Sequence, residues 1–117
     1  MSVRRISGIT LVVKDMGKSV DFYSNMLGLR MLYGGSDATF TSFDVGGTFL
    51  NLEAGSSSSK DWGRIIFHVD NVDELFECLR NKGFKVKEPK NAYWGERFFH
   101  INDPDGYELS FAQPIDI

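Results

Sequence analysis

The feature that most constrains the fold of this chain of 117 residues is an internal repeat. Residues 8–23 match residues 64–79 at a constant offset of 56, and one extra residue before Gly28 then breaks the register. A second match, at an offset of 59, joins residues 44–52 to residues 103–111. A repeat of about half the chain predicts two similar units that face one another around a pseudo-twofold axis.

Each repeat has the pattern of a strand, a helix and three further strands. Asp15 is predicted to cap the first helix and Gly28 to end it, because a carboxylate accepts from first-turn amides and glycine adopts the left-handed conformation. The second helix is predicted over residues 72–82. The predicted strands are residues 4–14, 29–34, 38–45 and 48–53, followed by 62–69, 84–87, 96–102 and 107–112.

These elements predict a single domain of the α+β class. Two βαβββ units, about residues 1–53 and 62–117, are expected to pair into one curved mixed sheet around a groove, with the helices outside. Residues 54–61, between the units, are rich in serine and have the composition of a flexible linker.

Alternation along the strands predicts which side chains face the groove. The residues expected under the second helix are Ile65, Phe67, Val69, Tyr107, Leu109 and Phe111. The residues expected in the groove are Arg64, Ile66, His68, Glu108, Ser110 and Ala112 from the second half and Gly8, Thr10, Val12, Phe49, Asn51 and Glu53 from the first. The aromatic residues Phe22, Tyr23 and Phe76 are predicted to belong to the core.

Composition excludes several classes of partner. A net charge of −3 and a pI of about 5.3 give no reason to expect nucleic acid or an anionic membrane surface as partner. The single cysteine, Cys78, rules out an intramolecular disulfide and is expected to be a packed or half-packed thiol on its helix. No apolar segment reaches the about 18 residues of a membrane span, and the N-terminus lacks the pattern of a secretory signal, so we predict a cytoplasmic protein.

Six short motifs, in this order, are similar to those of one known superfamily. They are residues 11–16 (Leu-Val-Val-Lys-Asp-Met), 19–23 (Ser-Val-Asp-Phe-Tyr), 26–29 (Met-Leu-Gly-Leu), 69–73 (Val-Asp-Asn-Val-Asp), 93–96 (Tyr-Trp-Gly-Glu) and 103–106 (Asp-Pro-Asp-Gly). Over essentially its whole length the chain resembles the vicinal oxygen chelate superfamily of glyoxalases, extradiol dioxygenases, fosfomycin-resistance enzymes and bleomycin-resistance proteins. Many of its members are homodimers, so the resemblance also implies a homodimer.

In the metal-dependent members, His, Glu or Gln side chains at four positions bind one divalent ion. The resemblance places those positions at Gly8, Asn51, Arg64 and Ser110. Glycine has no side chain, arginine is permanently cationic, and asparagine and serine are weak neutral donors. We therefore predict no metal and no other cofactor at these positions.

A displaced metal site is the alternative, because His68, His100 and Glu108 lie on neighbouring predicted strands. Two histidines and a carboxylate are the ligand set of a mononuclear iron centre. Because all three residues lie away from the ligand positions of the superfamily, we favour the interpretation of these histidines as surface or hydrogen-bonding side chains.

The predicted ligand-binding residues are Asn51, Arg64, His68, Trp94, Glu108 and Ser110. A guanidinium on the wall of an apolar groove needs a partner, which is either an internal carboxylate such as Glu108 or Glu53, or an anionic group of a ligand. The aromatic residues Trp62, Tyr93, Trp94 and Phe98 form either the flat walls of a site for a planar ligand or the packing of a loop.

Three functions remain open at this level. The first is a small-molecule binding protein that resembles bleomycin-resistance proteins and takes a planar or anionic ligand. The second is a metal-independent isomerase or lyase that uses Arg64 with His68 or Glu108. The third is a glyoxalase- or dioxygenase-type enzyme with the displaced metal site. Whether the protein is an enzyme is left open.

Overall fold

The computed structural model describes residues 5–56 and 64–116, and the chain forms two compact units, residues 1–58 and 59–117. Each unit holds one four-stranded mixed sheet. The α+β class and the two βαβββ units are therefore confirmed. The predicted linker residues 57–61 and Trp62 lie outside the described residues.

The first unit contains β1 (Gly8–Val13), α1 (Met16–Val20), a π-helical segment (Asp21–Met26), β2 (Arg30–Tyr33), β3 (Phe40–Val45) and β4 (Thr48–Ala54). Its strand order is β1-β4-β3-β2. β1 and β4 are parallel, and the other neighbours are antiparallel. The helical face buries Tyr23 against Phe43, with ring centroids 6.1 Å apart. Tyr23 and Phe22 are both core residues, as predicted.

The second unit contains β5 (Arg64–His68), α2 (Val72–Asn81), β6 (Lys90–Ala92), β7 (Glu96–Asn102) and β8 (Glu108–Pro114). Its strand order, β5-β8-β7-β6, repeats that of the first unit. The apolar face of α2 places Phe76 against Phe99 of β7, with ring centroids 5.9 Å apart. Phe76 is buried, as predicted, and Val72 and Leu79 share its face.

A bidentate ion pair also joins α2 to its sheet. The Arg97 guanidinium donates to both carboxylate oxygens of Asp73, at 2.8–3.2 Å. Hydrogen bonding from Arg97 holds the pKa of the Asp73 carboxyl below its ordinary value. Arg97 therefore lies on the helix side of β7, and the residues that alternate with it lie on the other side.

Strand registers confirm the internal repeat residue by residue. Gly8 is paired with Phe49 across β1 and β4, and Arg64 is paired with Glu108 across β5 and β8, which reproduces the offsets of 56 and 59. Because a slip of one residue would turn every side chain to the opposite face, this agreement fixes which residues of the two units are equivalent.

The extra residue before Gly28 is accommodated by the π-helical segment. The amide of Leu27 donates to the carbonyl of Phe22, five residues earlier, at 3.0 Å. A π turn holds one more residue than an α turn, so the insertion widens the helix instead of shifting the strand that follows. Asp15 caps this helix by accepting from the Lys18 amide at 3.1 Å, and Gly28 ends it with a φ of 72°, both as predicted.

The prediction of a strand over residues 84–87 was wrong. The structure has β6 at Lys90–Ala92 instead, directly after Pro89. Proline has no backbone N–H and cannot donate to a strand ladder, so the pairing of β6 with β7 begins only beyond it. Apolar and charged residues therefore alternate over residues 84–87 although this segment forms no strand.

The prediction of a packed thiol was also wrong, because Cys78 is exposed. Phe76 and Leu79 mark the buried face of α2. At about 100° per residue, Cys78 lies about 200° from Phe76 around the helix and points to solvent.

Among residues 5–56 and 64–116, no helix has the length and apolar character that a membrane crossing requires.

Candidate functional site

The sheet face of the second unit that lies away from α2 carries most of the predicted site residues. We refer to it as the open face, and it comprises Arg64, Ile66 and His68 of β5, Phe98 and His100 of β7, and Glu108, Ser110 and Ala112 of β8. The alternate residues Ile65, Leu109 and Phe111 are buried on the helix side, as predicted. Ile66 is 63% exposed, which leaves an apolar surface beside the charged Arg64.

Arg64 and Glu108 form an ion pair on the open face. Their Nε and Oε2 atoms are 3.7 Å apart, and each side chain is nearly half exposed. Of the two partners that the sequence left open, the structure therefore supplies an internal carboxylate. The distance exceeds that of a hydrogen bond, so the pair is weak. The N–H groups of the guanidinium thus retain capacity for an additional acceptor.

His100 and Ser110 are paired across β7 and β8 and joined by a hydrogen bond between His100 Nδ1 and Ser110 Oγ. Burial lowers the pKa of the His100 imidazole, and the nearby cations Arg64 and Lys90 also lower it, while Glu108 opposes them. His100 is therefore a neutral imidazole at neutral pH. Its position on the open face was not fixed by the sequence, and it is a candidate site residue that the predicted ligand-binding set lacked.

A row of rings leads from His100 to the turn between β6 and β7. Trp94 stacks on Phe98 at a centroid distance of 5.8 Å and an interplanar angle of 23°, and Phe98 lies 5.0 Å from the His100 ring. We call Trp94, Phe98 and His100 the aromatic row. Trp94 is 57% exposed, and its indole N–H donates to Glu96 Oε1 at 2.7 Å. Tyr93, at the tip of the turn, packs edge-to-face on Trp94 and is 89% exposed.

His68 is exposed and lies at the far end of β5, paired with Ala112. Ala112 lies four positions beyond Glu108 along β8, which corresponds to about 13 Å of extended strand. Among the described residues, no three His, Cys, Asp or Glu side chains are grouped so that they could hold a metal ion. The structure therefore does not bring His68, His100 and Glu108 together as a displaced metal centre.

Asn51 belongs to the sheet of the first unit. Its Oδ1 accepts from Ser42 Oγ at 2.7 Å, and its Nδ2 donates to Thr10 Oγ1 at 3.3 Å. The Ser42 and Asn51 pair occupies the same register as His100 and Ser110 in the second unit. The two units thus share a backbone plan and differ in the chemistry that they place on it.

The four positions of the implied metal ligands do not fit a divalent ion. Gly8 offers no donor, and Arg64 is a cation paired with Glu108. Asn51 and Ser110 are neutral and are hydrogen-bonded to Ser42 and His100, respectively. Because such ions take carboxylate, imidazole or thiolate ligands, this donor set supports no step through a metal.

A surface pocket of about 220 Å³ opens beside the aromatic row, where the chain enters β6. It is lined by Lys87, Glu88, Lys90, Phe98, Phe99 and His100. Sequence reasoning missed this pocket because it placed a strand over residues 84–87. Pro89, immediately after that alternating segment, was the available signal.

The chain matches the family described as the Glyoxalase/Bleomycin resistance protein/Dioxygenase superfamily over residues 5–111. It belongs to this superfamily. The resemblance found in its motifs is thereby confirmed.

Characterised relatives are similar over nearly the whole chain. The fosfomycin resistance protein FosX of Listeria innocua is 26% identical over 89% of this chain and 86% of its own. A lactoylglutathione lyase of Neisseria meningitidis serogroup A is 29% identical over 93% of this chain and 90% of its own. Among solved structures, the antibiotic binding protein TnmS3 from Streptomyces sp. CB03234 is 25% identical, with a TM-score of 0.79, and the alignment covers 97% of this chain and 98% of that protein.

Proposed function

We propose that this protein binds a planar small molecule on the open face of its second unit, without using a metal ion. The observation that carries the proposal is the stacking of Trp94 on Phe98 with more than half of the Trp94 surface exposed. An exposed ring held in a fixed orientation offers a flat apolar surface at little entropic cost, which is how aromatic side chains contribute to binding.

The polar groups of the open face suit a ligand that also carries hydrogen-bonding groups. Arg64 supplies N–H donors beside its weak pair with Glu108. The neutral His100, which is hydrogen-bonded to the buried Ser110, provides an uncharged group on the same face. The rings of the aromatic row are themselves uncharged, so the part of a ligand that lies on them is favoured when it is aromatic and not charged.

Relatives support the broad class of function. TnmS3 is described as an antibiotic binding protein, and FosX as a fosfomycin resistance protein. Participation of Asn51 and His68 in the same site stays a prediction. An isomerase or lyase that uses Arg64 with His68 or Glu108 also stays a prediction, and turnover of a bound ligand is the measurement that separates it from binding.

The proposal is tested by following the Trp94 indole N–H signal by NMR while naphthalene-2-carboxamide, a planar neutral probe, is added. Of the two tryptophans, Trp62→Phe leaves Trp94 alone and assigns its signal. We expect a saturable shift. Trp94→Leu removes the ring but keeps an apolar side chain, and should weaken binding by about two- to tenfold, since an aromatic pair contributes about 0.5–1.5 kcal/mol beyond its buried area. For this variant, binding is followed by calorimetry.

Trp94→Phe is the matched control, because it retains a ring at the same place and should keep most of the affinity. Equal affinities of Trp94→Leu and Trp94→Phe would show that stacking at this position does not hold the ligand. An unmoved indole signal with several planar probes would remove the proposal altogether.

A further inference from the structure

Resting on this proposed function, we infer that the ligand is an aromatic acid, whose carboxylate is bound by Lys87 and Lys90 in the pocket at the start of β6. The aromatic row then holds the ring system, and the pocket holds the acid group. The open face and the pocket share Phe98 and His100, so one ligand reaches both.

The pocket exists because Pro89 ends strand pairing at the edge of the sheet. β6 is paired with β7 only from Ala92 with Glu96 to Lys90 with Phe98. Beyond this point the chain carries Lys87 and Glu88 past Phe99 and His100 without a ladder. A volume of about 220 Å³ results. It is several times the about 30 Å³ that one water molecule occupies in the liquid, so it admits a carboxylate group with part of its ring.

The charge of the pocket favours an anion. Two lysines and one glutamate line it, and its histidine is neutral at neutral pH because burial lowers the His100 pKa. Among residues 5–56 and 64–116, neither Lys87 nor Lys90 forms an ion pair. Arg64, in contrast, already has Glu108 as its partner. Lys87 and Lys90 are therefore cations beside the pocket that form no ion pair with a carboxylate of the described residues, whereas Arg64 offers a ligand only the N–H groups that its weak pair with Glu108 leaves over.

The position of Lys90 links the acid group to the ring system. Lys90 is directly opposite Phe98 in the ladder, about 5 Å away across neighbouring strands. Because paired residues share a face, its stem extends from the sheet beside the ring on which Trp94 stacks. A carboxylate attached to a fused aromatic system therefore reaches the Lys90 ammonium while its rings lie on Phe98 and Trp94.

Two probes of the same shape test this inference, namely naphthalene-2-carboxylate and naphthalene-2-carboxamide. They differ in charge and hardly in size. We expect the carboxylate to bind about fivefold more tightly than the amide, which corresponds to one charge interaction at about 4 Å in water. Lys90→Gln should remove most of that difference, and the double variant Lys87→Gln with Lys90→Gln should abolish it. Affinity for the uncharged amide should fall much less than affinity for the carboxylate in both variants.

Lys85→Gln is the matched control, because Lys85 is an exposed lysine of the same segment that does not line the pocket and its loss changes net charge equally. It should leave both affinities unchanged. If Lys85→Gln and Lys90→Gln weaken carboxylate binding alike, the preference is a general charge effect and the inference is wrong. Equal binding of the two probes to the native protein also overturns it, while planar-ligand binding survives. Failure of both probes to bind removes the proposed function itself.

Discussion

At the scale of single residues, His100 is the group whose behaviour departs most from its type. Burial, with Arg64 and Lys90 nearby, lowers the pKa of its imidazole from the ordinary value of 6.5. The native state therefore binds a proton at His100 less readily than the unfolded chain does. The free energy of unfolding should fall as pH drops below about 6.5 and through the lowered pKa, then level off with respect to this group.

The measurement is an NMR titration of the imidazole signals. The chain has two histidines, so His68→Asn leaves His100 as the only one. We expect a midpoint below 6.5, and a smaller loss of stability between pH 7 and pH 5 when His100 is replaced by Gln. A midpoint at or above 6.5 would contradict the burial of this ring and, with it, the description of His100 as a neutral group of the site.

The sequence predicted the facing of Arg64, Glu108 and Ser110 correctly, because alternation within a strand needs no knowledge of its neighbours. It did not predict the partner of Ser110. That partner depends on the register between β7 and β8, which the turn at residues 103–106 fixes through hydrogen bonds of Asp103 with the backbone of Tyr107. A turn motif can be recognised in a sequence, but the strand register that it imposes depends on which hydrogen bonds the folded turn forms.

At the scale of elements, the two helices show how one fold accepts an insertion. The π-helical segment of the first unit holds one residue more than the corresponding turn of α2. Deletion of the exposed Asn25 should therefore convert the π-helical segment into a regular α-helix like α2 of the second unit. We expect a loss of unfolding free energy of about 1 kcal/mol or less, as for an ordinary surface change, measured by urea unfolding.

Deletion of Glu77 from α2 is the comparison. It turns every later residue of the helix by about 100° and so moves the fully buried Leu79 out of the core. This should cost about 2–5 kcal/mol, as for removal of a core leucine. Similar losses from the two deletions would mean that the π-helical segment is not the site of the insertion.

The elements themselves were largely predictable. Strands at 96–102 and 107–112 and both helices follow from periodicity, and the start of the first helix also follows from its cap, Asp15. The prediction of a strand at 84–87 failed because alternation shows only that apolar and charged side chains take turns along the chain. Strand formation also requires hydrogen bonds to a neighbouring strand. Pro89 denies that pairing to this segment.

At the scale of the whole molecule, the repeat gives two units with one topology and unlike chemistry. In the first unit, Ser42, Asn51 and Thr10 form a neutral hydrogen-bonded set. In the second, the equivalent positions carry His100, Ser110 and Ile66, and the ion pair of Arg64 and Glu108 stands where the first unit has Gly8 and Phe49. The fold and its superfamily could be predicted from order and spacing of motifs, whereas the ligand depends on side chains that the repeat does not constrain.

This difference predicts how the protein responds to metal ions. A bound ion at one hundred times its Kd would add about 2.7 kcal/mol to the free energy of unfolding. We expect Ni²⁺, Zn²⁺, Mn²⁺ and Fe²⁺ to leave the unfolding temperature unchanged, because Gly8, Asn51, Arg64 and Ser110 offer no anionic or imidazole donor.

Elemental analysis of untagged protein, followed by thermal unfolding with each ion and with a chelator, checks this expectation. One tightly bound ion per chain that is lost in His68→Ala or Glu108→Ala would contradict it and restore the displaced site. The homodimer stays a prediction, and sedimentation analysis addresses it.

Pro89 has a consequence for the behaviour of the protein at high concentration. β6 is an outer strand of its sheet, and unpaired outer strands invite edge-to-edge aggregation. This one is three residues long, follows a proline and begins with Lys90. A short strand with a charge and no preceding N–H is a poor template for a second chain. Pro89, which ends strand pairing beside the pocket, thus also makes this edge a poor site for self-association.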